Sequence, residues 1–516
     1  GSSQNIVFSG GYPQTPANFS FAAGSNTVAA KNVRVRFTQG SLILCSLDQF
    51  AIRPAAFAVS AWDSATQLNN SSLSPGSGAI DLVNNGTLTG NPFLKAGRDF
   101  TLRADGGSGY VATSGGAVTL DSSLAGQKVW THVGSGDFTD RLLASATAGN
   151  TVTFTGPGSG STVATATVQY HDWGLFTVKT GAVVDADFAS ASGDPAASDC
   201  VTGSSSNTAN GAGKIGCNIA NQVDVPIGRF AVDHFTAIGS LTPACVPASG
   251  SSFTYMGQPF PAAQVQARAE SYTSNMLLTH YDTAQVGAAA TLATFTPKVV
   301  DGATDLTTRV LGWTSPFTWS GGIAGYSGAA LYLGRAGAPA NPLNGAPDGP
   351  YSAIFNVSVS GDADLCSGTG KCLDQIQVGS AMAERYGRVK LMNAYGTRDS
   401  GMRMPFYLEY RKGNGWVTNT DDSCTVLTGA HVAPGNPTTA NADSSGITLA
   451  AAATVSPTRS GVGSVFLTRP SGVGWLNVAL NLAGTVAVPD QSCMTKTAAG
   501  GGAGLTYLRY GSPSDR

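Results

Sequence analysis

The chain has 516 residues, of which 66 are Gly and only 12% are charged, and its formal net charge is −2. Typical globular chains carry about 7% Gly and about 25% charged residues. This balance excludes a coiled coil, a basic nucleic-acid binder and a highly charged disordered chain.

Thr, Ser, Val and Ala are abundant, with Gly and Asn between them. Thr and Val favour pleated strands, and Gly, Asn, Asp and Ser favour turns. The composition therefore predicts a mainly β protein with many short strands, and the length predicts roughly two to four domains. Residues 1–48 read as an extended N-terminal arm. Within it Asn32–Phe37 alternates, with Val33, Val35 and Phe37 on one side and Arg34 and Arg36 on the other. That period of two predicts a half-buried strand with a charged, edge-like outer face.

A first β-sandwich is expected over 49–190. Pro54 keeps Phe50–Phe57 out of a central ladder. Asp99–Ala104 alternates, Val152–Phe154 and Val163–Tyr170 flank a Gly156–Gly160 turn, and Gly174–Thr177 closes the unit. Residues 191–228 read as a disulfide-pinned linker, since an unpinned loop of that length suits no compact domain. A second sandwich is expected over 229–385. Phe230–Phe235 echoes Phe50–Phe57, and Gly257–Ala267 echoes Gly97–Ala104, in the same order. This suggests two copies of one sandwich, with coincidence in a biased β composition as the alternative. Ser380–Arg385 has helical composition, enough for a turn or two. A C-terminal β domain is expected over 386–516. Its strands are Arg388–Ala394, Pro405–Tyr410, Gly474–Leu480 and Leu505–Tyr510, with a polar corner at Asn419–Cys424. The fold class is all-β: tandem immunoglobulin-like or Greek-key β-sandwich domains with disulfides.

The eight cysteines form no Cys-x-x-Cys and no Cys/His cluster, so they read as disulfides of an oxidising compartment. Cys366 and Cys372 flank a small Gly-rich loop, and Cys200 and Cys217 close a Ser/Asn/Gly-rich one. By elimination the remaining pairs are Cys424–Cys493 and Cys45–Cys245. No apolar run is long enough to span a membrane as a helix. The chain opens without a basic and apolar leader, as a mature or trimmed chain would.

The histidines His132, His171, His234, His280 and His431 show no metal-ligand spacing. No nucleophile elbow or phosphate loop occurs, so no catalytic residue, no cofactor and no enzyme activity is expected. Tyr170-His171-Asp172-Trp173 admits sugar binding or acid–base work, but a strand end with Trp173 in the core is the simpler reading. Asp362 and Asp364, two apart, are candidate Ca²⁺ ligands, and Asp421 with Asp422 is a second carboxylate pair. Turn hydrogen bonds explain both pairs more cheaply. Trp313, Phe317 and Trp319 could form a sugar-stacking face, with a sandwich core as the default.

A further set of segments runs in order along the chain. It starts with Arg34–Phe37, Cys45–Pro54, Tyr170–Phe176, Gly213–Cys217, Gly228–Phe230 and Asp233–Phe235. It continues with Phe253–Phe260, Asp348–Tyr351, Arg385–Arg388, Asn393–Gly396 and Asn419–Thr425. In these segments the chain resembles the MshQ-like family, surface proteins linked to the mannose-sensitive haemagglutinin type IV pilus system of Gram-negative bacteria. The resemblance implies an extracellular, disulfide-bearing, all-β protein, often with a lectin module upstream, and it supplies no catalytic residues. No such module fits within residues 1–44. Leu505–Arg509 resembles the start of the family's closing region. From the residues themselves, Gly257 and Gly396 are expected at positive φ. Phe253, Tyr255 and Phe260 suit core or inter-domain packing, and Asn419–Ser423 suits a hydrogen-bonded corner.

The expected function is an extracellular structural or adhesive protein at the bacterial cell surface. Its expected partners are pilus or other surface proteins, copies of itself, or a glycan ligand, and not nucleic acid. The alternative is a subunit of a filament or sheath, joined by strand addition from the N-terminal arm. A secreted carbohydrate-active enzyme is the remote third reading.

Overall fold

The computed structural model describes residues 28–47, 50–63, 93–110, 151–156, 162–186, 200–272, 275–286, 291–313, 318–328, 331–338, 346–362, 376–434, 447–476 and 478–480. Between and beyond these it describes 8–9, 12–13, 80–81, 83, 88, 118–121, 129–131, 142–144, 188, 482 and 508–511. The architecture is all-β, built from small sheets packed as layers.

In the first domain Asp99–Asp105 lies between Ala58–Asp63 and Val163–Tyr170, antiparallel to both. Its alternation places Phe100, Leu102 and Ala104 inward, opposite Val168, Ala166 and Ala164. The facing sheet holds Gly174–Val178 beside Val225–Ala231. Gly174–Val178 is buried along its whole length. Phe100, Tyr170, Phe176 and Phe230 bridge the two layers, with ring centroids 4.8–6.4 Å apart. The stretch expected as a linker thus supplies strands. Ile219–Ala220 pairs with Val183–Asp185, and Val225–Ala231 pairs with Gly174–Val178.

One arrangement of the first domain, a central strand between an earlier and a later one, recurs in the second. Ala263–Glu270 lies between His234–Leu241 and Ile323–Gly328, antiparallel to both. A six-stranded sheet faces it, with Tyr351–Ser360 between Thr294–Asp301 and Met382–Arg385. The main chain then passes through Tyr386 directly into Gly387–Leu391, the first strand of the C-terminal sheet. That sheet is antiparallel except for Leu508–Gly511, which pairs parallel with Gly387–Leu391.

Several expectations are corrected here. Met382–Arg385 is a strand, not a helical turn. Its Met, Ala and Glu favour helix, but ladders to Thr254–Tyr255 and Tyr351–Ser360 override that preference. The single strand expected at Asn32–Phe37 divides into Ala30–Val33 and Arg36–Gln39. Gly257 has φ of 86° as expected, but Gly396 does not adopt positive φ. Cys245 is bonded to Cys424, which overturns both Cys45–Cys245 and Cys424–Cys493. The reason is packing: Cys245, Phe253 and Tyr255 belong to the C-terminal core, not to that of their own domain. Cys45 stays an exposed free thiol on a hairpin. Cys200 is joined to Cys217. Cys366, Cys372 and Cys493 lie outside the described residues.

Candidate functional site

Six of the segments that carried the resemblance, Cys45–Pro54, Tyr170–Phe176, Gly213–Cys217, Phe253–Phe260, Arg385–Arg388 and Asn419–Thr425, take part in three polar knots. The first ties the Cys200–Cys217 loop to the start of the first domain. Arg53 donates from Nε to Gly216 O at 2.7 Å and from a terminal nitrogen to Ser206 O at 3.0 Å. Gly216 admits no side chain there, because a Cβ would sit 2.2 Å from Ser204 O.

The second knot is the turn His171–Trp173. Asp172 is 0% exposed. Its carboxylate accepts from Trp173 N at 2.8 Å, Thr279 Oγ1 at 2.7 Å and His280 N at 3.0 Å, and it lies 2.6 Å from His280 Nδ1. His171 Nδ1 lies 2.9 Å from Ser271 Oγ. Residues of the first domain therefore hold Ser271, Thr279 and His280 of the second. Trp173 packs edge-on to Tyr281 in the core. Replacing a buried, multiply bonded acceptor strands its donors, at about 1–3 kcal/mol per group. Asp172→Ala is therefore expected to lower stability by about 3 kcal/mol in urea denaturation. A loss below about 0.5 kcal/mol would show that the carboxylate is not a link.

The third knot joins Phe253–Tyr255, Arg385 and Asn419–Thr425. Tyr255 pairs with Arg385 in a parallel ladder. The Tyr255 hydroxyl donates to Asp422 Oδ2 and accepts from Asn419 Nδ2, both at 2.8 Å. Asp422 also accepts from Cys424 N, Thr425 N and Thr425 Oγ1. The Arg385 guanidinium donates to Asn419 Oδ1 and, at 2.6 Å, to Asp421. It lies over the Phe253 and Tyr410 rings at 4.6 and 4.7 Å. The Arg385 hydrogen bond holds the Asp421 carboxyl below the usual carboxylate range. The Cys245–Cys424 bond seals the same place. Asp421 and Asp422, read as a carboxylate pair, thus face protein donors.

The other sequence candidates are placed as follows. Asp362 accepts from the buried Tyr281 hydroxyl at 2.9 Å, and Asp364 lies outside the described residues. Among the described residues no group of three or more His, Cys, Asp or Glu comes together as a metal site. Trp319 donates to Ala293 O at 2.7 Å inside the core, and Trp313 stacks on Tyr326. Phe317 lies outside the described residues. His234 lies 3.0 Å from Asp233 Oδ2 and 3.5 Å from Glu270. His431 accepts from Thr428 N, and His132 falls outside the described residues.

Two features escaped the sequence reading. Glu384 is 0% exposed, and among the described residues neither carboxyl oxygen has a hydrogen-bond partner. It shares a strand face with Met382, which packs with Phe260 and Phe355. Burial pushes its carboxyl well above the usual value of 4.5. The second feature is a cleft of about 280 Å³ at one end of the C-terminal domain, with Tyr395, Arg398, Met402, Val473 and Trp475 on its walls. The only sequence signal for it was the Asn393–Gly396 segment.

Residues 202–382 match the third domain of DUF6701, and residues 385–512 match its fourth domain. Together these stretches make up more than half of the chain. The chain belongs to the DUF6701 family. A search of curated proteins finds no match. In DUF6701 terms the third knot is a joint: Cys245 and Tyr255 come from the third domain, and Asn419, Asp422 and Cys424 from the fourth. The cleft belongs to the DUF6701 fourth domain alone.

Proposed function

We propose that the chain is an extracellular, non-catalytic structural or adhesive surface protein, of the kind its resemblance to type IV pilus accessory proteins implies. The observation that carries this reading is the joint between the third and fourth domains. There a disulfide and a buried Tyr–Asn–Asp–Arg knot fix one domain to the next. Stiff, covalently sealed joints suit a protein that resists shear, and disulfides form in oxidising compartments. The carboxylates and histidines at the second and third knots are spent on these links. The test is labelling of intact cells with an antibody against the fourth domain. Label on intact cells is expected, and label appearing only after lysis overturns the reading.

One observation favours self-assembly as a second reading. Among the described residues the strands Arg36–Gln39 and Leu42–Cys45 pair with each other alone. Their register puts Phe37, Leu42 and Leu44 on one face, and all three are exposed. A lone hairpin is marginal in water, and such a face gains from a second copy. Sedimentation of the purified chain is expected to show association that the double change Leu42→Asp and Leu44→Asp abolishes. A monomeric wild-type chain overturns this reading.

A further inference from the structure

We propose that the cleft in the fourth domain binds an acidic saccharide, stacked on Trp475 and Tyr395 and oriented by Arg398. The inference rests on the extracellular, adhesive reading above and names its ligand class.

The cleft is built by register. Met402 pairs with Leu467, so the loop before Met402 and the loop after Leu467 leave the sheet at the same end. Those loops supply Tyr395, Arg398, Val473 and Trp475. The walls are fixed by backbone bonds. Ala450 N donates to Arg469 O at 3.0 Å, and Ser471 N donates to Thr448 O at 2.8 Å. Leu467 ties the floor to the domain core. The site is therefore formed before any ligand arrives, as small-molecule clefts usually are.

The lining favours a sugar over other occupants. Tyr395 is 98% exposed, Val473 81% and Trp475 50%. Covering such side chains is favourable by about 25 cal/mol per Å². A helix of about 10–12 Å diameter does not fit a cleft of this volume. A peptide strand adds to an open sheet edge, and these walls are loops. A pyranose ring presents an apolar C–H face to an aromatic ring and hydroxyls at its rim. Thr397, Arg398 and Ser400 also line the cleft, the Thr397 and Ser400 hydroxyls 2.8 Å apart.

Charge selects among sugars. Among the described lining residues Arg398 is a cation and no carboxylate is present. Its neighbour Asp399 stands 3.5 Å away, and both are mostly exposed. Exposed pairs of this kind are worth little, so the guanidinium can turn to a ligand carboxylate and bind it in bidentate fashion.

The test is binding of the full chain to immobilised oligosaccharides ending in a uronic acid or in a neutral hexose. The wild type is expected to prefer the uronic-acid arm. Tyr395→Ala and Trp475→Ala should each weaken that binding by about tenfold or more, and Trp475→Phe should retain most of it. Arg398→Gln should bring the acidic arm down to the neutral one. These side chains are exposed, so an unchanged Tm is expected to confirm folding. No binding to either arm, or binding unchanged in the Tyr395→Ala, Trp475→Ala double variant, overturns the proposal. A preference for neutral sugars overturns its acidic part. A surface-labelled chain that binds no saccharide contradicts this inference alone, whereas a chain labelled only after lysis contradicts the reading beneath it.

Discussion

Removing the Cys245–Cys424 bond, by Cys245→Ser with Cys424→Ser, is expected to cost about 5 kcal/mol of stability. The bond closes a loop with a sequence separation of 179. Loop-closure entropy removed from the unfolded chain grows with the logarithm of that length, which gives about 5 kcal/mol. The Cys200–Cys217 bond, with a separation of 17, is worth about 3 kcal/mol on the same basis. Urea denaturation of the two double variants, followed by tryptophan fluorescence, measures the contrast. The longer loop also crosses between domains. Its loss should therefore separate the unfolding of the fourth domain from that of the third. A larger loss in the short-loop variant would contradict this account of the joint.

Glu384→Met is expected to stabilise the protein by about 2 kcal/mol near neutral pH. The native side chain buries a carboxyl with neither oxygen bonded among the described residues, at the usual cost of about 1–3 kcal/mol for an unsatisfied polar group. Met has a similar volume, carries no polar oxygen, and matches Met382 on the same strand face. The gain depends on pH. Burial raises the folded carboxyl above its ordinary value of 4.5, so above that pH the folded state keeps a proton that the unfolded state has released. Stability of the wild type then falls as pH rises, by up to about 1.4 kcal/mol per unit, until the folded group itself ionises. Below 4.5 both states are protonated and this slope vanishes. Urea midpoints at pH 4, 7 and 9 should show the variant pulling ahead as pH rises. A variant less stable than the wild type at pH 7, or a difference independent of pH, would contradict the assignment.

The Cys245–Cys424 bond also shows where sequence reading stops. Asp99–Asp105 and Val163–Tyr170 were legible because each buries one face, and alternation records that directly. The Cys200–Cys217 loop is short and polar, so its spacing carries its pairing. Cys245 and Cys424 are far apart, and they meet only because Phe253 and Tyr255 are drawn into the fourth-domain core. No local pattern encodes that displacement. The helical composition of Met382–Arg385 misleads because neighbouring strands claim its backbone on both sides. Asp172 reads as the neighbour of a histidine, while its partners, Thr279 and His280, lie more than a hundred residues on. The cleft depends on one ladder pair, Met402 with Leu467, which brings together two loops with no sequence relation.

Phe253–Phe260 and Asn419–Thr425, with the Cys245–Cys424 bond, lock the third domain to the fourth. Mass spectrometry of the oxidised chain, digested without reduction, tests it most directly. A cross-linked pair of peptides carrying Cys245 and Cys424 is the predicted result. Cys245 recovered in a bond to Cys45, or Cys424 in a bond to Cys493, would contradict it.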